Sequence, residues 1–128
     1  MSRKRDFSRI AASYHDRLEF IEGDITSLAQ VQEAISSVAP NLIIHLAAFQ
    51  TPDCMARPLQ GMEVNVIGTR NIIQAASQLG STLQRLVLAS SSAVYGPREI
   101  YPGETVTTDV PYLPPNLYGF WKICNEGM

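Results

Sequence analysis

Cysteine is scarce: Cys54 and Cys124 are the only two, and they form no metal-ligand spacing and no disulfide framework. That excludes a zinc module or a disulfide-stapled scaffold and points to a reducing compartment, with the cytoplasm as the expected location. Long apolar runs are also missing. The longest, around Leu42 to Phe49 and Leu86 to Ala89, fall far short of the roughly 20 residues a membrane span requires. Clustered positive charge is confined to Arg3, Lys4 and Arg5, so the chain has no footprint for nucleic acid. The N-terminus lacks the apolar centre of a secretory signal, and Asp6 and Asp16 argue against a transit peptide. No repeat or low-complexity tract is present. What remains is an ordinary globular composition, 45% hydrophobic with a net charge of −2, over 128 residues, enough for one domain and no more.

Within that domain the hydrophobic period alternates between strand and helix. Residues 1–17 read as a polar tail or surface helix, and the domain proper occupies 18–128. Leu18-Glu19-Phe20-Ile21-Glu22 alternates as a strand does and closes at Gly23-Asp24. Ser27 with Gln30 has the form of a capping box, and Leu28, Val31, Ile35 and Val38 then recur at helical spacing up to Pro40. Asn41 to Leu46 is almost wholly apolar, the pattern of a strand covered on both faces. A connection with turn character runs through Pro52, Asp53 and Cys54 to Pro58. After it a long helix is expected to Leu79, ended by Gly80 in a left-handed cap. Its polar strip is narrow, chiefly Glu63, Arg70, Gln74 and Ser77, so one apolar flank is left for the sheet and another for a partner subunit. Leu86 to Ala89 reads as the next buried strand and leads into Ser90-Ser91-Ser92. Residues 96–115 are rich in Pro, Gly and Thr and predict a long, functional loop. A last helix opens at Asn116 as N-cap and is still running at Met128. This order is the grammar of βαβ units and an α/β, doubly wound parallel sheet.

In such sheets ligands sit at the carboxyl ends of the strands. Here those ends are Gly23-Asp24, Leu46-Ala47-Ala48 and Ser90-Ser91. On the last helix, Tyr118 and Lys122 stand one turn apart on the same face. A phenol has an ordinary pKa of about 10, and a fixed cation beside it favours the phenolate, which makes such a pair a usable acid or base. By itself Tyr-x-x-x-Lys also occurs as a plain solvated helix face.

Read in order, Gly23-Asp24-Ile25, His45-Leu46-Ala47-Ala48, Asn65-Val66-Ile67-Gly68-Thr69, Ser90 to Gly96, and Tyr118 to Lys122 resemble the motifs of the extended short-chain dehydrogenases/reductases, in the NAD-dependent epimerase/dehydratase family. The resemblance spans about Leu18 to the end. It implies a Rossmann-like domain and NAD as cofactor, with NADP not excluded. It also implies hydride transfer on a nucleotide-linked sugar, with Tyr118 as acid/base, Lys122 as its partner on the nicotinamide ribose, and Ser91 on the substrate hydroxyl. Asp24 and Ile25 are similar to the adenine-contacting pair. Leu46, Ala47 and Ala48 resemble the small apolar strand end under the cofactor, Asn65 the helix residue that braces it, and Ser90 a further cofactor-binding residue, with Ser92 the neighbour that could stand in for Ser91. A homodimer through helices 59–79 and 116–128 is implied as well.

Each residue also has a plainer reading. Asp24 can end a strand, Ala47-Ala48 can be core, Ser90 to Ser92 a polar strand end, and Asn65 a hydrogen-bonded core residue. His45 reads as a structural histidine, Tyr95 as a packing residue, and Cys124 as buried on the last helix. The departures from the family are specific. The phosphate-binding Gly-x-x-Gly-x-x-Gly turn occurs nowhere, so the expectation is a chain truncated at both ends, without the first βαβ unit or the C-terminal substrate-binding segment. Trp121 replaces the small residue common before the lysine. Two other readings are a non-catalytic remnant or dimerisation module of the same fold, and a steroid or small-alcohol dehydrogenase.

Overall fold

The computed structural model describes Tyr14, residues 17–103 and residues 105–128. The remainder of the expected tail, residues 1–13, 15 and 16, lies outside the described residues. Helix α1 spans Leu28–Val38, and Ser27 Oγ accepts from Gln30 N at its start. The reciprocal half of the expected capping box goes elsewhere. Ser27 N already donates to Asp24 O at 3.0 Å, and Gln30 Oε1 instead accepts from Asp24 N at 3.0 Å. The Gln30 side chain thereby closes the whole turn from 24 to 30. The segment from Leu18 to Glu22 is exposed and joins no ladder among the described residues, contrary to the expected strand. A strand pattern becomes a strand only within a ladder, and the two-stranded ladder of the described residues does not include this segment.

Strands β1, Leu42–His45, and β2, Arg85–Leu88, pair in parallel with Leu42 opposite Arg85 and His45 opposite Leu88. A parallel pair requires a crossover, and the chain supplies it with helices. Helix α2, Thr51–Ala56, stands where the sequence suggested only a connection. Pro52 occupies its first turn, where a missing N–H costs nothing, and Arg57 reaches back to Asp53 at 2.7 Å. Helix α3, Pro58–Met62, continues through a π-helical turn, Glu63–Ile67, into α4, Gly68–Ser77. Gly80 follows at φ +53, the left-handed conformation expected of it. Helix α5, Leu117–Glu126, is capped by Asn116 Oδ1 on Gly119 N at 3.1 Å and stops at Gly127 rather than running to the end.

The inward side of α4 mixes the buried Ala75 and Ala76 with polar residues, where the sequence suggested apolar flanks alone. Asn65, Thr69 and Asn71 are almost completely buried, whereas Met62 is exposed and Glu63, Arg70, Gln74 and Ser77 form the expected polar strip. Asn71 Nδ2 donates to the carbonyls of Ile25 and Thr26, each at 3.0 Å, and so fastens the turn before α1 to α4. Such bonds contribute about 1 kcal/mol each, but an orphaned buried amide costs about 1–3 kcal/mol. The sheet is covered on one face only. Ile43 and His45 point inward, while Ile44 is 58% exposed beside Val87 at 41%, so β1 is not the doubly buried strand expected. Among the described residues no helix is long and apolar enough to cross a membrane.

Two glycines set how closely α5 packs. The Trp121 indole lies where a side chain on Gly61 would stand, with ring atoms 2.6 Å from that position. Gly119 lies against the Ala93 carbonyl, with room for no Cβ at all. In the loop, Tyr101 Oη accepts from Gly96 N at 2.8 Å and donates to Pro111 O at 3.1 Å, and Tyr95 packs edge-on between Tyr101 and Tyr112. Overpacking of a tight contact costs about 1–3 kcal/mol. Gly119→Ala should therefore lower stability by at least about 1–3 kcal/mol in urea denaturation, while Gly127→Ala, with only ordinary contacts to meet, should change it by less than about 0.5 kcal/mol.

Candidate active site

The parallel register brings the two strand ends side by side, with Ala89 N donating to His45 O at 3.2 Å. Beyond β1 lies a cleft of about 500 Å³ lined by Gly23, Asp24, Ile25, Leu46, Ala47, Ala48, Phe49 and Val64. Five of the residues singled out in the sequence thus share one wall. Asp24 Oδ1 accepts from Thr26 N at 2.9 Å, which holds the carboxylate at the exposed rim. Ile25 packs with its branched end against Gly68. Asn65 contributes from behind. Its Oδ1 accepts from Phe49 N at 2.7 Å and its Nδ2 donates to Phe49 O at 3.0 Å, a two-point grip on the backbone of the cleft wall.

The second half of the site is α5. Tyr118 and Lys122 are 7% and 5% exposed, and the Lys122 ammonium lies 5.7 Å from the centre of the Tyr118 ring. Lys122 Nζ donates to the Ala89 carbonyl at 2.6 Å, so the charge is fixed at the carboxyl end of β2. Burial pushes the Lys122 pKa below its usual 10.5. Ser91 is half-buried, and its Oγ accepts from Ala93 N at 3.2 Å, opening a short turn at Ser92–Val94; its neighbour Ser92 is exposed. Ser90 turns outward to donate to Glu126 Oε1, and Glu126 Oε2 accepts from Tyr112 at 2.7 Å. Cys124 is exposed, which corrects the expectation of a buried thiol: on α5 it sits off the stripe formed by 118, 122 and 125.

Between the halves runs a buried polar network that apolar periodicity could not indicate. Thr69 Oγ1 donates to Asn65 O at 2.7 Å and stands 3.1 Å from His45 Nε2 and 3.2 Å from Asn125 Nδ2. A hydroxyl has one proton, and Thr69 spends it on Asn65 O, so His45 must donate from Nε2. That fixes the tautomer of a histidine in the structural role expected of it. Burial, and then the Lys122 charge, lower the His45 pKa below 6.5. Cys54, wholly buried, donates to Phe49 O at 3.4 Å and accepts from Asn65 Nδ2 at 3.4 Å; burial raises its pKa and keeps it a thiol. The signal for Thr69 in the sequence was its place at the end of the Asn65–Thr69 motif, four from Asn65, and for Asn125 only its offset of three from Lys122.

The His45 shift has a testable sign. With the folded value below the unfolded 6.5, its contribution to stability is complete above pH 6.5 and is lost as pH falls through the folded value. The chain has two histidines, so a proton NMR titration should show His45 with a midpoint below 6.5, and denaturant midpoints should fall over the same acid range.

Comparison with known proteins gives a consistent setting for this geometry. The model of the NAD dependent epimerase/dehydratase family matches residues 2–128. The UDP-glucose 4-epimerase of Mycoplasma genitalium is 33% identical over 117 residues, covering 85% of this chain and 32% of that protein. Among solved structures, the UDP-glucose 4-epimerase of Thermus thermophilus in complex with NAD superposes with a TM-score of 0.76 at 26% identity, over 92% of this chain and 39% of that one. The UDP-glucose 4-epimerase of Brucella ovis in complex with NAD gives 0.74 at 28%, over 86% and 33%. The chain thus spans about a third of the length of the curated relative. With the match running over almost its whole length, the chain belongs to the NAD-dependent epimerase/dehydratase family.

Proposed function

We propose that this chain carries the adenine-side cleft and the acid/base helix of an NAD-dependent enzyme that epimerises or dehydrates a nucleotide-linked sugar. The observation that carries the reading is the buried Tyr118–Lys122 pair, held at the carboxyl end of β2 by the Ala89 carbonyl. The relatives named as UDP-glucose 4-epimerases, two of them in complex with NAD, support the substrate class and the cofactor.

The residues present fit the ends of that cofactor and not its middle. Ala47 and Ala48 leave the cleft wall low enough for a flat base to lie on, with Asp24 and Ile25 at the rim, and Lys122 keeps N–H donors to spare for a ribose hydroxyl. No Gly-x-x-Gly-x-x-Gly turn exists in the sequence to cradle a pyrophosphate. When bound, NAD supplies the hydride acceptor for the sugar carbon. Tyr118 takes the proton that the sugar hydroxyl must lose at the same moment, and Ser91 holds that hydroxyl in reach. Lys122, unable to move away from Ala89 O, attracts the negative charge that develops on the phenol oxygen.

A second reading is favoured by a separate observation. Leu59, Met55 and Phe120 are 77%, 58% and 57% exposed, on helices α3, α2 and α5, which pack together. A face of this kind suits pairing with a second copy, as a dimerisation module would do with or without catalysis.

Three measurements test these readings. NAD should bind the chain more weakly than micromolar in calorimetry yet give saturation-transfer signals from its adenine protons, and Ala47→Trp should remove them; no signal from the unaltered chain would sink the cofactor assignment. In a chimera joining this chain to the flanking segments of a relative, Tyr118→Phe should lower turnover of UDP-glucose by about 100-fold or more with NAD affinity kept; retention of most activity would refute the role of Tyr118. Sedimentation velocity should show a dimer that Leu59→Glu with Phe120→Glu dissociates, and a monomer at every concentration would end the second reading.

A further inference from the structure

Helix α5 turns three polar side chains inward at spacings of four and three: Tyr118, Lys122 and Asn125. The proposed chemistry uses the first two and leaves the third unexplained. Asn125 is 8% exposed, and its Nδ2 donates to Asn65 O at 2.9 Å and to Thr69 Oγ1 at 3.2 Å. Both acceptors lie in or just after the π-helical turn of the crossover helix, and Thr69 is the residue that His45 of β1 also grips. One hydroxyl therefore joins strand β1, helix α4 and helix α5, with all its bonding positions filled.

The other end of the Asn125 amide indicates why an asparagine stands there. Its Oδ1 is buried and has no partner among the described residues. Such an orphan is destabilising, and leucine at this position would avoid it, so packing alone does not account for the residue. The donor end does. Along α5, Gly119 rests on Ala93 O and Asn125 on Asn65 O, about 9 Å apart, with Lys122 midway between them. Two fixed points about 120° apart around the helix, one on either side of Lys122, set both its depth and its rotation. The Glu126 bonds to Ser90 and Tyr112 form at the exposed edge and leave that rotation less constrained.

We infer that Asn125 is a positioning residue that keys α5 to the π-helical turn through Asn65 O and Thr69, and so holds the Lys122 ammonium on the Ala89 carbonyl. This role rests on the reading of Lys122 as a working group, but it is tested without cofactor or substrate. Lys4 and Lys122 are the only lysines. Trace acetylation of the full chain, read by mass spectrometry across pH, therefore reports Lys122 against Lys4 as an internal standard. Asn125→Leu and Thr69→Val should each raise Lys122 labelling several-fold and move its pH profile up toward the usual lysine value of 10.5. Thr69→Ser, which keeps the hydroxyl, should retain wild-type protection, and Glu126→Gln should leave Lys122 close to it. Unchanged labelling in Thr69→Val with helical circular dichroism intact would overturn the inference. So would a rise with Glu126→Gln equal to that with Thr69→Val. If Asn125→Leu does not fold, the Thr69 pair decides alone. Loss of the NAD signal in the unaltered chain would count against the functional reading and leave this result standing; a normal NAD signal with unchanged Lys122 labelling would do the reverse.

Discussion

Everything in this chain follows from pairing β1 with β2 in parallel. A parallel ladder cannot be closed by a tight turn, so the chain must leave the end of β1, travel the length of the sheet and return. Helices α2, α3 and α4 make that journey, and the same register that aligns His45 with Leu88 sets both strand ends at one edge. The cleft opens at the first of these ends, and the Lys122 ammonium settles on the last carbonyl beyond the second. The site is a product of strand direction before it is a product of any individual side chain.

The interior that supports this arrangement is more polar than its size would suggest. Asn65, Thr69 and Asn71 are among the largest fully buried side chains, and each donates to a backbone carbonyl from another part of the chain or from the preceding turn. Apolar packing tolerates sliding, whereas an amide that grips a named carbonyl does not. The low-dielectric setting that makes these bonds firm also depresses the pKa values of His45 and Lys122 and raises that of Cys54.

Much of this was legible in the residues. Period and caps located α1, β1, β2 and α5 closely, because Ser27, Asn116 and the apolar runs act locally. The strand-end rule and the family motifs singled out the residues of the cleft and the Tyr118–Lys122 pair. What escaped was nonlocal. Leu18 to Glu22 has a strand's pattern but is no part of the ladder among the described residues, and Ile44 looked buried because an apolar run does not say how many faces are covered. The π-helical turn leaves no mark in composition, and Asn125 looked like one more polar residue near a helix end. Helix α2 was hidden by Pro52, which breaks a helix in its interior but opens one at its first turn.

Gly119 gives the fold a lesson in portability. It sits between Tyr118 and Lys122 on α5 and lies on the Ala93 carbonyl without room for a methyl group. Anyone moving Tyr118 and Lys122 onto another scaffold would carry over two side chains and lose the close approach to the strand end that positions them. The transferable unit is a tyrosine, a glycine and a lysine on one helix, together with the strand-end backbone on which that glycine rests.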